Sequence, residues 1–177
     1  KDLLEEAMTE DNDVIVTLVL AEYDLEDHDF ESTARRLKLI DDKVPFDSPQ
    51  RKKWDDMLSI ALHQIGDYEG ARIAYERLIQ QNPNDLQSLN NLAYMLSENL
   101  GRPDESMQYV EKANELMPNN AQILDTLGWV QFLAGQREDA LRTLRASTEE
   151  MRMPSNSLHL ARVLLDRNQL EDRGEAE

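Results

Sequence analysis

The segment Leu124-Asp-Thr-Leu-Gly-Trp-Val-Gln-Phe-Leu-Ala-Gly-Gln-Arg-Glu-Asp-Ala-Leu-Arg-Thr-Leu144 decides how this sequence is interpreted. It allows three interpretations: a phosphate-binding glycine loop, an apolar stripe that meets a membrane or a ligand, or one copy of a repeated unit. No Gly-Lys-Ser or Gly-Lys-Thr follows Gly128 or Gly135, which argues against the phosphate loop. The rest of the chain favours the repeated unit.

A leucine followed by a small residue recurs along the chain at intervals of about 34 residues. The five pairs are Leu20-Ala21, Leu58-Ser59, Leu92-Ala93, Leu127-Gly128 and Leu160-Ala161. A turn-forming residue follows each pair, and these residues are His28, Gly66, Gly101, Gly135 and Asn168. A second small position comes next, at Thr33, Ala71, Ser106 and Ala140. Prolines close successive units, at Pro45, Pro83, Pro118 and Pro154.

This pattern predicts pairs of antiparallel helices. The leucine and the small residue lie on the buried side of a first helix, where the short side chain lets the second helix approach closely. A glycine then ends the first helix in the left-handed conformation, and a proline stops the second helix. N-caps are predicted at Ser48, in Asn82-Pro-Asn-Asp85 and in Pro118-Asn-Asn120. Units of this kind stack into a solenoid.

The pattern resembles the tetratricopeptide repeat (TPR). The unit Leu58…Leu62…Gly66-Asp-Tyr68…Ala71…Tyr75…Leu78…Pro83 matches that family nearly position for position. So does Leu124…Leu127-Gly128…Gly135…Ala140…Leu144. The resemblance implies an all-α, right-handed solenoid of antiparallel helix hairpins. Sequences such as Leu127-Gly-Trp-Val130 are similar to those of bacterial members of this family.

The repeats predict a single solenoid over residues 1–177. Its full repeats are 14–47, 52–85, 86–120 and 121–153. Residues 1–10 are expected to end a preceding repeat, so the chain is expected to be a piece of a longer protein. Residues 154–177 are expected to form a partial or capping repeat that lacks its second helix, because the tail is almost wholly polar.

Composition excludes several classes of function. The net charge of −17 argues against binding to nucleic acid or to an anionic membrane, and it favours neutral or basic partners. No run approaches the roughly 18 apolar residues of a membrane helix. There is no cysteine, and the three histidines fall in different units, so neither a metal site nor a cofactor is expected. Catalysis is not expected, and cytoplasmic and periplasmic locations both stay open.

The resemblance also implies a partner-binding groove along the concave face of the first helices. The groove residues carried over to this chain are Asp56, His63, Asn90, Asn91, Tyr94, Glu98, Asp125, Trp129 and Phe132. Tyr94 and Trp129 are predicted to be apolar anchors, and the alternative is that Trp129 and Phe132 pack against the next helix pair. Of the family's Lys/Asn clamp for C-terminal carboxylates only Asn91 is present, so that clamp is not expected.

The function predicted from these residues is a non-enzymatic scaffold that binds an extended peptide or a helix of a partner protein. One alternative is an assembly or spacer segment that self-associates or packs on its own neighbouring repeats. Another is the targeting domain of an enzyme whose catalytic part lies outside this chain. The basic run Arg51-Lys-Lys53 either pairs with Asp41 and Asp42 across the linker or contacts an acidic partner.

Overall fold

The computed structural model describes residues 13–46 and 48–174, the last seven of them as backbone only. Every regular element in this part of the chain is helical. The α-helices are α1 (Asp13–Glu26), α2 (Phe30–Leu39), α3 (Pro49–Gln64), α4 (Tyr68–Gln81), α5 (Leu86–Glu98), α6 (Pro103–Leu116), α7 (Ala121–Leu133), α8 (Arg137–Glu150) and α9 (Pro154–Gly174). A 3₁₀ turn, Asp41–Lys43, follows α2. The helix expected over residues 1–10 lies outside the described residues.

The chain forms two compact units, Lys1–Pro83 and Asn84–Glu177. In the first unit α1 pairs with α2 and α3 pairs with α4, and α2 packs on α3. In the second unit α5 pairs with α6 and α7 pairs with α8, while α7 also packs on α5 and α6. The last helix, α9, packs on α7 and α8.

The predicted turns between paired helices are confirmed at four of five positions. His28, Gly66, Gly101 and Gly135 all have positive φ values, between 61° and 82°. The fifth prediction, a turn at Asn168, is wrong, because α9 continues through that residue to Gly174. An asparagine inside a helix costs less than about 1 kcal/mol relative to alanine, so without a glycine at the turn position the helix carries on.

The predicted N-caps are confirmed as well. Ser48 accepts a hydrogen bond from the backbone N–H of Arg51 at 3.1 Å, with Pro49 as the first helical residue. Asp85 caps α5 through Ser88 N, and Asn120 caps α7 through Gln122 N and Ile123 N. Each cap satisfies donors that a helix start leaves unpaired, which fixes where the next first helix begins.

The paired helices α7 and α8 approach each other closely at Gly128. A Cβ atom added there would lie 2.6 Å from Leu144 Cγ and 3.2 Å from the backbone nitrogen of Leu144. Elsewhere the second helix carries a hydroxyl that binds a carbonyl of the first helix. Ser106 Oγ donates to Ala93 O at 2.6 Å, and Thr33 Oγ1 lies 3.5 Å from Ala21 O. Threonine at a position that favours small residues is therefore accommodated by polar contacts.

Arg51, in the first turn of α3, binds residues of the segment that joins α2 to α3. Its guanidinium forms an ion pair with Asp41 at 2.8 Å and donates to the carbonyl of Val44 at 3.3 Å. It also lies 3.4 Å from the buried carboxylate of Asp55. Lys53 pairs with Glu22 on α1 at 2.7 Å. Pairing across the linker, one of the two interpretations of the basic run, is thus confirmed for Arg51 with Asp41.

We expect Gly128→Ala to destabilise the protein by about 1–3 kcal/mol, because the added methyl group overlaps Leu144. The cost of this overlap exceeds the gain of about 1 kcal/mol in helix propensity that alanine brings over glycine. Urea unfolding followed by circular dichroism measures the change. The double variant Gly128→Ala/Leu144→Ala serves as the control, since the substitution at 128 is expected to cost less once the Leu144 side chain is gone. Equal stability of Gly128→Ala and the native chain would contradict this account.

Candidate functional site

Seven of the nine predicted groove residues belong to the first helices of the second unit. Helix α5 carries Asn90, Asn91, Tyr94 and Glu98, and helix α7 carries Asp125, Trp129 and Phe132. These seven residues divide into two groups. Five of them, Trp129 included, form a cluster around the rings of Trp129 and His159, and the two asparagines line an open cleft.

Trp129 is enclosed by its neighbours, with only 2 % of its surface exposed. The ring of His159, on α9, stacks on it at a centroid distance of 4.4 Å and an interplanar angle of 14°. Phe132 lies 5.3 Å away on the same helix, and the guanidinium carbon of Arg162 is 5.5 Å from the indole centroid. The indole Nε1 donates to Glu98 Oε2 at 2.8 Å. This geometry favours packing against the next helix over an exposed anchor.

The acidic residues of this cluster are engaged with neighbouring side chains. Asp125 Oδ1 lies 2.7 Å from His159 Nδ1, and the carboxylate of Glu98 binds Trp129. Tyr94 is half-buried, with its ring 6.4 Å from that of His159. Burial raises the pKa of the Tyr94 phenol, and the negative charges of Glu98 and Asp125 raise this pKa further. The cluster therefore joins α5, α7 and α9 by polar and aromatic contacts.

His159 is the residue of this cluster that the sequence-based prediction missed. It lies 34 residues after Asp125, and Trp129 lies 31 residues after Glu98. Both separations are close to one repeat length. A search for residues of complementary chemistry one repeat apart would have found both pairs.

A cleft of about 390 Å³ opens between the starts of α5 and α7. It is lined by Leu86, Gln87, Asn90, Asn91, Met117, Asn120, Gln122 and Ile123. Asn90 is 8 % exposed, while Gln87 and Gln122 at the rim are more accessible. The cleft thus combines five carboxamides with three apolar side chains, and two of its residues, Asn90 and Asn91, were predicted as groove residues.

Asp56 and His63 lie on α3 in the first unit. His63 makes an edge-to-face contact with Tyr68 at 5.7 Å, and the carbonyl of Asp56 accepts a hydrogen bond from Ser59 Oγ at 2.9 Å. Both side chains are partly exposed. Their predicted role in binding stays a prediction.

Among the described side chains, those of residues 13–46 and 48–167, no group of three or more His, Asp or Glu could hold a metal ion. None of the helices in residues 13–46 and 48–174 combines the length and the apolar character that crossing a bilayer requires.

The fold and the repeat pattern define the class of protein: a solenoid of helical hairpins, as predicted. Two family models, each described as tetratricopeptide repeat, match residues 57–85 and 74–108. The TPR repeat-containing protein PA4667 of Pseudomonas aeruginosa is 33 % identical over 72 residues, which are 41 % of this chain and 12 % of that protein. Residues 57–108 therefore match the tetratricopeptide repeat, and the chain spans only a small part of this relative.

Solved structures show the same fold. MamA 41-end from Desulfovibrio magneticus RS-1 aligns with a TM-score of 0.76 and 15 % identity, over 93 % of this chain and 90 % of that chain. MamA MSR-1 gives a TM-score of 0.72 at 24 % identity, over 83 % and 82 %. A thermophilic TPR protein of Thermus thermophilus, TTC0263, gives 0.66 at 16 % identity, over 89 % and 84 %. At these identities the likeness concerns the fold alone.

We expect Trp129→Ala to lower the free energy of unfolding by about 3–5 kcal/mol, because a fully packed aromatic side chain is removed. Thermal and urea unfolding measure the loss. Glu98→Gln is the matched control: it keeps an oxygen acceptor for the indole N–H and should change stability by less than about 0.5 kcal/mol. A Trp129→Ala protein as stable as the native chain would restore the exposed-anchor interpretation.

Proposed function

We propose that this chain is a non-enzymatic scaffold that binds an extended segment of a partner protein along α5 and α7. Proteins with this fold are in general protein-interaction scaffolds, and the fold implies a protein partner. The observation that carries the proposal is the cleft between the starts of the two first helices, where the predicted groove residues Asn90 and Asn91 lie. Carboxamides both donate and accept hydrogen bonds, which suits them to the amide groups of a peptide.

The electrostatics of the chain support a neutral or basic partner. The net charge is −17, and the residues that line the cleft are uncharged. An acidic segment would approach against the field of the whole protein without a cation in the cleft to compensate. We therefore infer a partner segment without acidic residues at the cleft.

The test is an affinity capture from a bacterial lysate with three baits. These are the native chain, a cleft variant Gln87→Arg/Gln122→Arg, and a control Gln80→Arg/Gln108→Arg with the same charge change outside the cleft. None of the four glutamines is buried, so the fold should tolerate both variants. Circular dichroism confirms that the baits are equally folded.

We expect a protein that is retained by the native chain and by the control but is lost with the cleft variant. The arginines fill the cleft mouth and remove its neutral character. If all three baits retain the same proteins, the cleft is not the binding site and the proposal fails.

One observation favours self-association as a second candidate function. Leu158 and Leu165 on α9 are 66 % and 62 % exposed, and Ala161 between them is exposed as well. In an antiparallel pair of α9 helices from two copies, Leu158 of one copy would lie against Leu165 of the other. The two-fold symmetry would repeat that contact, and the small Ala161 would allow close approach at the crossing point.

For this candidate we expect the apparent mass in light scattering to rise toward a dimer with concentration, and Leu158→Gln/Leu165→Gln to remain monomeric. Removing two exposed leucines leaves the packed side of α9 unchanged. Ile73→Gln, an exposed isoleucine on α4, is the control for general loss of surface hydrophobicity. A native chain that stays monomeric at all concentrations rules this candidate out.

A further inference from the structure

The last helix, α9, forms an open groove together with the end of α8. The groove has a volume of about 330 Å³, and its lining residues are Thr148, Arg152, Ser157, Leu160, Ala161 and Leu164. Asn156 holds the junction of the two helices: it is fully buried and donates to Ser147 Oγ at 2.9 Å and to Met151 O at 2.7 Å. The groove is therefore preformed, which lowers the cost of ordering its residues when a ligand binds.

The groove side of α9 repeats three residues that α5 buries in its pairing with α6. The residues on α9 are Leu160, Ala161 and Leu164, and their counterparts two repeats earlier on α5 are Leu92, Ala93 and Leu96. The three on α5 are fully buried, and Ser106 Oγ of α6 donates to Ala93 O at 2.6 Å. On α9 the alanine is exposed and both leucines are only partly buried. Among the described residues, no second helix lies on this face of α9.

The chain does not fold back over α9 where the earlier hairpins turn. In those hairpins the turn residue follows the small residue of the first helix by seven or eight positions, as Gly135 follows Gly128. Helix α9 instead continues from Ala161 through position 168 to Gly174. At 1.5 Å per residue, residues 169–174 carry the backbone about 9 Å past the place of that turn. A hairpin partner therefore cannot start there, and this leaves the groove to another polypeptide.

The second helices of the chain show what kind of helix fits such a face. Each has a small residue, a larger residue four positions later and a third residue seven positions after the first, which places all three on one side of a helix. These triplets are Thr33-Leu37-Ile40, Ala71-Tyr75-Leu78, Ser106-Val110-Ala113 and Ala140-Leu144-Ser147, and all of these side chains are buried.

The charge of the groove favours one direction for such a helix. Arg152 is the charged residue among those that line the groove, and it lies just before the start of α9. A helix placed on α9 as α8 is placed on α7 would bring its C-terminal turn to this end, because Ser147, near the end of α8, donates to the carbonyl of Ala121 at the start of α7. The C-terminal turn of a helix carries unpaired carbonyl groups and the negative end of the helix dipole, and both favour a cation.

We propose that the groove between α8 and α9 binds an amphipathic helix of another protein, antiparallel to α9. This helix has the spacing of the second helices: a small residue, a larger apolar residue four positions later and a small or apolar residue after seven. The three side chains pack on Leu160, Ala161 and Leu164, and the C-terminal carbonyl groups accept hydrogen bonds from Arg152. The inference goes beyond the proposed function, because this groove shares no residue with the cleft on α5 and α7.

The probe is a synthetic peptide of residues 102–118, which contains the α6 sequence with Ser106, Val110 and Ala113. A lactam bridge between Glu111 and a lysine introduced by Glu115→Lys holds the peptide helical, and both positions are exposed in the chain. Circular dichroism confirms the helix. The peptide carries a fluorophore, and its binding to the 177-residue chain is measured by fluorescence polarisation.

We expect saturable binding that Ala161→Leu weakens about tenfold or more, because the larger side chain blocks the close approach of the two helices. Ala161→Ser keeps the position small and should retain the affinity within about twofold. Ser155→Leu is the control for added hydrophobicity, since Ser155 is an exposed residue of α9 that does not line the groove. Ala161 is exposed as well, so the free chain should fold with each of these substitutions.

Two further variants test the small position of the ligand and the charge of the groove. Ser106→Leu in the peptide should weaken binding about tenfold, since it fills the small position. Arg152→Gln in the chain should weaken binding about two- to fivefold and reduce its dependence on salt. Arg145→Gln, at an exposed arginine of α8 outside the groove, should change neither.

Three results overturn the inference: no saturable binding of the helical peptide, binding that Ala161→Leu leaves unchanged, or binding that is lost with the cleft variant Gln87→Arg/Gln122→Arg. A native chain that forms a dimer in light scattering and loses it with Ala161→Leu would also overturn the inference, because a second copy would then occupy the groove. The proposed function is tested separately, since Ala161→Leu should leave capture at the cleft unchanged.

Discussion

Gly128 and Leu144 lie so close that one methyl group on the glycine would come within 2.6 Å of Leu144 Cγ. The paired helices can approach in this way only where the first helix carries a small residue. At Ala21 and Ala93 the short side chain is fully buried, and a hydroxyl of the second helix reaches a carbonyl of the first. The spacing of the small residues along the sequence therefore sets the packing of each hairpin.

The repeat length that follows from this packing decides which side chains meet between successive hairpins of the second unit. Glu98 and Trp129 are 31 residues apart, Asp125 and His159 are 34 residues apart, and each pair forms a hydrogen bond. As a result these two acidic residues, on α5 and α7, are occupied by contacts within the unit. The uncharged cleft at the other end of the same helices carries carboxamides instead, and the buried oxygen of Asn90 has no such partner among the described residues.

The sequence predicted those features that depend on one repeat alone. Glycine turns, N-caps and the all-helical fold follow from local chemistry, and the structure has them at Gly66, Gly135 and Ser48. The burial of Trp129 could not be derived in this way, because it depends on His159 and Arg162 in the following repeat. The turn expected at Asn168 was wrong for a related reason: periodicity marks where a turn fits, but a helix without a strong breaker continues.

The contrast between two buried polar residues bears on how the cleft is understood. Asp55, fully buried in the first unit, has Arg77 at 2.8 Å, Arg51 at 3.4 Å and Gln81 Nε2 at 3.0 Å, and burial still raises the pKa of its carboxyl group. Asn90 is almost as buried, yet its oxygen has no such partner among the described residues. A buried carboxylate needs partners because it carries a full charge, and two arginines and a glutamine supply them to Asp55. The carboxamide of Asn90 carries no charge, so the fold can bury it beside the cleft at a smaller cost.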